Sequence, residues 1–196
     1  EFRGAGGDTV QAWVTYPPGF DPKKKYPLVQ LLHGGPHTMV RDAFSARWNT
    51  HVFASPGYIV ASVNRHGSTG FGEAFARSIN GAWGDKPTED VLKANDYLFA
   101  TIPAIDRDNV AAAGASYGGY LATWLLGHTK AFKTLVNHAG VSDFMGQYGA
   151  DITTYGFTSE VLGGTPWQNP EAMQRNNPVA YAANFSTPML ITHGEK

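Results

Sequence analysis

Few motifs dictate their surroundings as narrowly as a serine flanked by glycines where a strand pattern gives way to a helix pattern. Here the run is Asn109-Val110-Ala111-Ala112-Ala113-Gly114-Ala115-Ser116-Tyr117-Gly118-Gly119-Tyr120. An apolar segment feeds Gly-x-Ser-x-Gly, and an apolar helical pattern through Leu121, Ala122, Trp124 and Leu125 follows. That is the context of a nucleophile elbow, a serine on a sharp strand-to-helix turn. Small residues at Gly114 and Gly118 allow the tight fold-back, and peptide N–H groups at the helix N-terminus favour a developing oxyanion. Ser116 is the candidate nucleophile; the alternative for the motif taken alone is a Gly-rich connection without chemistry.

The flanking segments read as an open α/β sheet. Val10, Ala12, Val14 and Tyr16 alternate with Gln11, Trp13 and Thr15, which predicts a half-buried antiparallel strand at the sheet edge. Residues 28–32, 58–63, 134–138 and 189–192 are short, mostly apolar runs suited to buried strands. Phe44, Trp48 and Val52 recur every four residues, with Phe53 beside them, and predict a helix over 41–55 that ends at Pro56-Gly57. Thr88 ahead of Glu89 and Asp90 predicts an N-cap, with Val91, Leu92, Asn95 and Leu98 on the helix behind it. Residues 139–186 are rich in Tyr, Phe, Gly and Asn and show no sharp pattern. Strands alternating with helices from 28 to 192 predict a doubly wound, mostly parallel sheet.

Composition removes several functional classes. With 196 residues, 42% of them apolar and 16% charged, the chain suits a single domain able to bury its own core. The net charge is −1, and the one basic run, Lys23-Lys24-Lys25, sits in a Pro-rich turn, so no nucleic-acid partner is expected. No apolar stretch reaches the roughly 18 residues of a membrane span, so no membrane partner is expected either. Without cysteine there are no disulfides or thiolate metal sites. His37, His51 and His66 lack metal-ligand spacing, and the Gly-rich loop 64–72 lacks the dinucleotide pattern, so no metal or cofactor is expected. The chain opens at Glu1 rather than Met and stops soon after a strand pattern. It therefore reads as a piece of a longer protein, its compartment, cytoplasmic or periplasmic, left open.

An acyl-transfer serine needs an oxyanion hole, a base and an orienting carboxylate. In the elbow architecture one hole donor is the N–H after the nucleophile, here Tyr117. The second comes from a loop after an earlier central strand. His33-Gly34-Gly35-Pro36 occupies that place, with Gly35 N–H the preferred donor and a plain turn the alternative. The expected chain order is Ser, then Asp or Glu, then His. His128 lies too far along the elbow helix to face Ser116. His138 and His193 both sit at strand exits, and an Asp143–His193 pair is conceivable. The expectation preferred here is that the base lies outside this chain.

Four ordered motifs are similar to the prolyl oligopeptidase family of serine peptidases, nearest its acylaminoacyl-peptidase and bacterial dipeptidyl-peptidase branches. They are residues 33–37 (His-Gly-Gly-Pro-His), 64–73 (Asn-Arg-His-Gly-Ser-Thr-Gly-Phe-Gly-Glu), the elbow at 114–120, and 193–196 (His-Gly-Glu-Lys). The resemblance implies an α/β-hydrolase fold, truncated before the last strand and helix, that follows a β-propeller and is completed downstream by the triad Asp and His. Residues 1–196 would then be an incomplete catalytic domain, inactive alone. It implies Ser116 as nucleophile, Gly35 and Tyr117 as oxyanion donors, and Val141 and Phe144, with Tyr117 as a further wall, around the side chain before the scissile bond. An apolar lining would favour an apolar or aromatic side chain there. The implied partner is a short peptide; a homo-oligomer is left open. Arg65 stands where such proteins often carry Pro or Tyr. A carboxylesterase on the same fold and a non-catalytic binding module are the competing readings.

Overall fold

The strands build one sheet in the order β1-β2-β4-β3-β5-β6-β7. They are β1 (Phe2–Arg3), β2 (Thr9–Thr15), β3 (Tyr26–Leu32), β4 (Ile59–Asn64), β5 (Ile105–Ala115), β6 (Thr134–His138) and β7 (Met189–Thr192). The computed structural model describes residues 1–150 and 162–195. Lys196 of the His-Gly-Glu-Lys run, and residues 151–161 of the aromatic-rich stretch, lie outside the described residues. β1 and β2 run antiparallel, β2 and β4 likewise, and β4-β3-β5-β6-β7 are parallel throughout. The antiparallel strand expected at the edge is therefore one place inside it, covered by the two-residue β1.

Side-chain parity divides the sheet into two faces. Leu28, Leu32, Ile59, Ala61, Val110, Ala112 and Leu135 pack into the main core with helices α3 (Asp85–Thr101) and α4 (Tyr117–His128). Leu31, Val60 and Ala113 point the other way, onto the short helix α1 (Thr50–Ala54) through Ala54 and Phe53. The helix face also buries Gln30, whose amide donates to Val91 O (2.8 Å) and Asn95 Oδ1 (2.7 Å), so a polar residue in an apolar strand is matched by one on α3.

Two expectations for helices change. The helix read over 41–55 shrinks to α1, because Asn49 caps it by accepting from His51 N (2.9 Å) and Trp48 is left-handed at φ 55°. Phe44 is 89% exposed and has no core to face, so its four-residue spacing from Trp48 carries no helix. α3 begins at Asp85 rather than after Thr88, which lies inside its first turn with its N–H on Gly84 O (3.0 Å). Asn176 accepts from Trp83 N (2.8 Å) and fixes that start from a distant part of the chain. The patternless stretch contains α5 (Phe144–Ala150), α6 (Pro170–Asn176) and a 3-10 segment, Pro178–Asn184. α2 (Glu73–Arg77) follows the Gly-rich loop.

Candidate active site

β3 and β5 are parallel neighbours, with Leu32 opposite Gly114, so residues 33–35 and 115–117 leave the sheet side by side. From β3 the chain passes to α1 on one face, and from β5 to α4 on the other. Strand exits that diverge to opposite faces leave a crevice at the carboxyl edge of the sheet, the usual ligand site of such sheets.

Ser116 sits in that crevice, exposed, between the end of β5 and the first residue of α4. Its backbone is at φ 56°, ψ −121°, a conformation that non-glycine residues adopt at a cost and that turns the side chain outward. Close packing enforces the turn. A Cβ on Gly118 would overlap the Leu32 carbonyl oxygen and come within 3.3 Å of His33 O, so only glycine lets α4 dock on the end of β3. Ser116 N donates to His138 O (3.1 Å), which ties the elbow to β6. Behind it, Asn137 accepts from Gly140 N (2.8 Å) and donates to Thr123 Oγ1 (2.8 Å).

The glycine loop meets the elbow directly. A Cβ built on Gly34 would lie 3.2 Å from Ala115 O and 3.6 Å from Ser116 Cβ. Gly35 is exposed at φ 119°. Tyr117 is the first residue of α4, so its N–H has no acceptor within the helix. Ser116, Gly34 and His33 line a cavity of about 340 Å³ together with Thr38, Arg47 and Trp48.

His33 holds the loop rather than taking protons. Its Nδ1 contacts Gly34 O (2.8 Å) and Thr38 Oγ1 (3.1 Å), and its Nε2 contacts Ser68 Oγ (2.8 Å). A carbonyl only accepts, so the ring proton sits on Nδ1 and Nε2 accepts from Ser68. Burial, and then the charge of Arg65, hold its pKa down to about 3. It is too weak a base for neutral-pH proton abstraction. Arg65 itself is buried, donates from Nη2 to His33 O (2.8 Å) and lies 4.3 Å from the centroid of the Tyr117 ring. The motif at 64–73 thus supports the loop and the elbow, a role its Gly-rich composition did not reveal.

The other expected residues divide. Val141 is partly buried and lines a cavity of about 480 Å³ with Asp143, Gln147 and His193. Phe144 is 1% exposed and packs on Trp83 (5.5 Å) and Tyr120 (5.4 Å). Tyr117 is 2% exposed, and its hydroxyl donates to Trp83 O (2.6 Å). Both rings are core rather than pocket wall, because α5 and α4 close on Trp83. Their burial leaves Val141 as the expected lining residue that a ligand can reach.

Asp143 and His193 flank the same cavity without pairing. The carboxylate accepts from Met145 N, Gly146 N and Asn177 Nδ2 (2.9 Å), while His193 Nδ1 meets Gly194 O (3.0 Å). His138 meets Thr192 Oγ1 (2.8 Å), and His128 stacks on Trp124 at the far end of α4. Among the described residues no histidine ring hydrogen-bonds Ser116, and no cluster of three His, Cys, Asp or Glu side chains is arranged to hold a metal. His66 is held between two carboxylates, Nδ1 on Asp90 (2.7 Å) and Nε2 on Asp8 (3.1 Å), away from the crevice.

Comparison with known proteins agrees with this architecture. The chain is 39% identical to dipeptidyl-peptidase 5 of Schizosaccharomyces pombe, covering 100% of this chain and 29% of that protein. It is 42% identical to dipeptidyl-peptidase 5 of Aspergillus oryzae, covering 95% and 26%. Uncomplexed Pyrococcus horikoshii acylaminoacyl peptidase superposes with a TM-score of 0.87 at 30% identity, over 98% of this chain and 31% of its own. A puromycin-hydrolyzing peptidase of Mycobacterium tuberculosis gives 0.87 at 27% identity, over 98% and 30%. The chain spans less than a third of the length of each of these relatives. The fold is that of the α/β-hydrolases, with its doubly wound, mostly parallel sheet. A profile of the prolyl oligopeptidase family matches residues 43–196, and the chain belongs to that family.

Proposed function

We propose that these residues form part of the catalytic domain of a serine peptidase that hydrolyses short peptides through an acyl-enzyme on Ser116. The observation that carries this reading is the backbone of Ser116, φ 56° and ψ −121°, exposed beside Gly34 at the sheet crevice. The names of the relatives, dipeptidyl-peptidases and acylaminoacyl peptidase, support the substrate class. Ser116 Oγ attacks the scissile carbonyl carbon while its proton passes to a histidine, and the N–H groups of Gly35 and Tyr117 donate to the carbonyl oxygen as it becomes an oxyanion. Collapse expels the amine, which takes the proton, and water then cleaves the ester by the same steps. We place that histidine and its Asp after Lys196, and a β-propeller before Glu1; relatives more than three times as long leave room for both. Val141 supports a preference for an apolar side chain before the scissile bond; Phe144, in the core, acts only from behind it.

The test is fluorophosphonate labelling and dipeptide-arylamide turnover by the full-length protein, its Ser116→Ala variant and residues 1–196 alone. Labelling and turnover are expected in the first only, with Ser116→Ala falling by roughly 10⁴-fold or more. A full-length protein that does not label supports a binding module. One that labels and cleaves short esters but no peptide supports a carboxylesterase. Turnover by residues 1–196 alone refutes the downstream placement of acid and base.

A further inference from the structure

Arg65 is 1% exposed, and among the described residues no carboxylate lies within salt-bridge distance of it. Its Nε is buried with no hydrogen-bond partner among the described residues, and the contact from Nη1 to His66 O is long, at 3.4 Å. Burying a cation without a counter-ion is unfavourable, and an unpaired N–H adds to that. An apolar side chain of similar length would fill the same space more favourably. The placement of the group suggests what it does instead. One edge of the guanidinium donates to His33 O at 2.8 Å, the carbonyl at the root of the glycine loop. Its centre lies 4.3 Å from the centroid of the Tyr117 ring, on the first residue of α4. Tyr117 is fixed in turn through its hydroxyl on Trp83 O (2.6 Å), and His33 through Ser68 and Thr38.

We propose that Arg65 is a positioning residue for the reaction at Ser116, clamping the 33–35 loop to the Tyr117 elbow so that the N–H groups of Gly35 and Tyr117 converge on one oxygen. The inference rests on the reading of Ser116 as nucleophile. A Gly-Gly segment has little conformational preference of its own, and a fixed carbonyl at its root restricts the peptides that follow. Donors must be set before the oxyanion forms, because their benefit comes from needing no reorganisation. A buried cation beside the elbow also favours negative charge there, in a medium that screens it weakly. Stability given up for such an arrangement is the familiar trade at functional sites.

The experiment uses the full-length protein and its Arg65→Met, Arg65→Lys and Tyr117→Leu variants. The readouts are kcat and KM on a dipeptide arylamide, affinity for a peptide aldehyde that forms a tetrahedral adduct with Ser116, and Tm. Arg65→Met is expected to lower kcat and aldehyde affinity together by about 10- to 100-fold, as weakened oxyanion donation does. KM should stay within about twofold and Tm should be equal or higher, as for removal of a buried unpaired charge. Tyr117→Leu, which keeps the N–H but removes the ring, should show the same kcat-specific loss. Arg65→Lys, with the charge but not the fork, should recover only part of it. Wild-type kcat in Arg65→Met, or a loss that only tracks a fall in Tm, overturns the proposal. If Arg65→Met does not fold, Arg65→Lys decides, and wild-type kcat there overturns it. A wild-type protein inert to both fluorophosphonate and aldehyde instead refutes the reading of Ser116, and the role of Arg65 with it.

Discussion

Ser116 holds a backbone conformation that glycine adopts freely and serine does not, at φ 56° and ψ −121°. Ser116→Gly should therefore abolish labelling while raising stability by about 1 kcal/mol, read as a higher Tm. Gly118 gives the opposite case. Its missing Cβ is what lets α4 dock against Leu32 O, so Gly118→Ala should destabilise by about 2–4 kcal/mol in denaturant unfolding. Both positions are visible in the sequence as Gly-x-Ser-x-Gly. Arg65 is not: nothing in its neighbours predicts that a cation would lie inside the molecule against Tyr117.

At the scale of elements, one side chain fastens the N-terminal β1–β2 segment to α3. Asp90, fully buried, accepts from Ala5 N (2.7 Å), His66 N (2.6 Å) and the His66 ring (2.7 Å), and Lys93 adds a bond to Gly4 O (2.9 Å). Both His66 nitrogens face carboxylates, which favours the positively charged ring and raises its pKa. Asp90→Ala would strand that charge and two backbone donors. A loss of about 3–5 kcal/mol is expected, with faster hydrogen exchange in residues 1–15 than elsewhere in the chain. The elements themselves were legible where pattern and burial agree: β3, β4, β5, β6, β7 and α4 fall where apolar runs place them. The helix expected over 41–55 is confined to α1 because Trp48 is left-handed and Phe44 has no apolar surface to cover. α5 and α6 leave no periodic signal because they are short and packed by aromatic contacts and Asn side chains rather than by a repeating apolar face.

For the molecule as a whole, two histidines make stability depend on pH in opposite senses. The pKa of His33 is held to about 3, below its ordinary 6.5, by burial first and by Arg65 second. The unfolded chain then binds a proton that the fold does not, so this contribution is complete above 6.5 and is lost as pH falls. At pH 5 the loss is about 2 kcal/mol. For His66, burial pushes the pKa down, but hydrogen bonds and charge from Asp90 and the hydrogen bond to Asp8 outweigh it and raise the pKa overall. Its contribution is complete below 6.5 and is lost as pH rises through the raised value. Chemical denaturation at pH 7.5 and pH 5 should show wild type losing about 2 kcal/mol more than His33→Gln over that interval. Equal losses would mean that the His33 ring takes up a proton in the folded state.

Sequence by itself was enough for the strands from β2 to β7 and for the strand-to-helix turn at Ser116, because these rest on local periodicity and on where only glycine fits. It also singled out the 33–36 loop, since two glycines after a central strand, upstream of an elbow, occupy the place of an oxyanion loop. The tertiary structure decided which strands are neighbours, and so that Gly34 meets Ser116. It withdrew Phe144 and the Tyr117 ring into the core, paired Asp143 with Asn177 rather than His193, and set Arg65 between His33 and Tyr117. Each of these depends on contacts between residues far apart in the chain. Periodicity and motif spacing describe only what lies nearby along it.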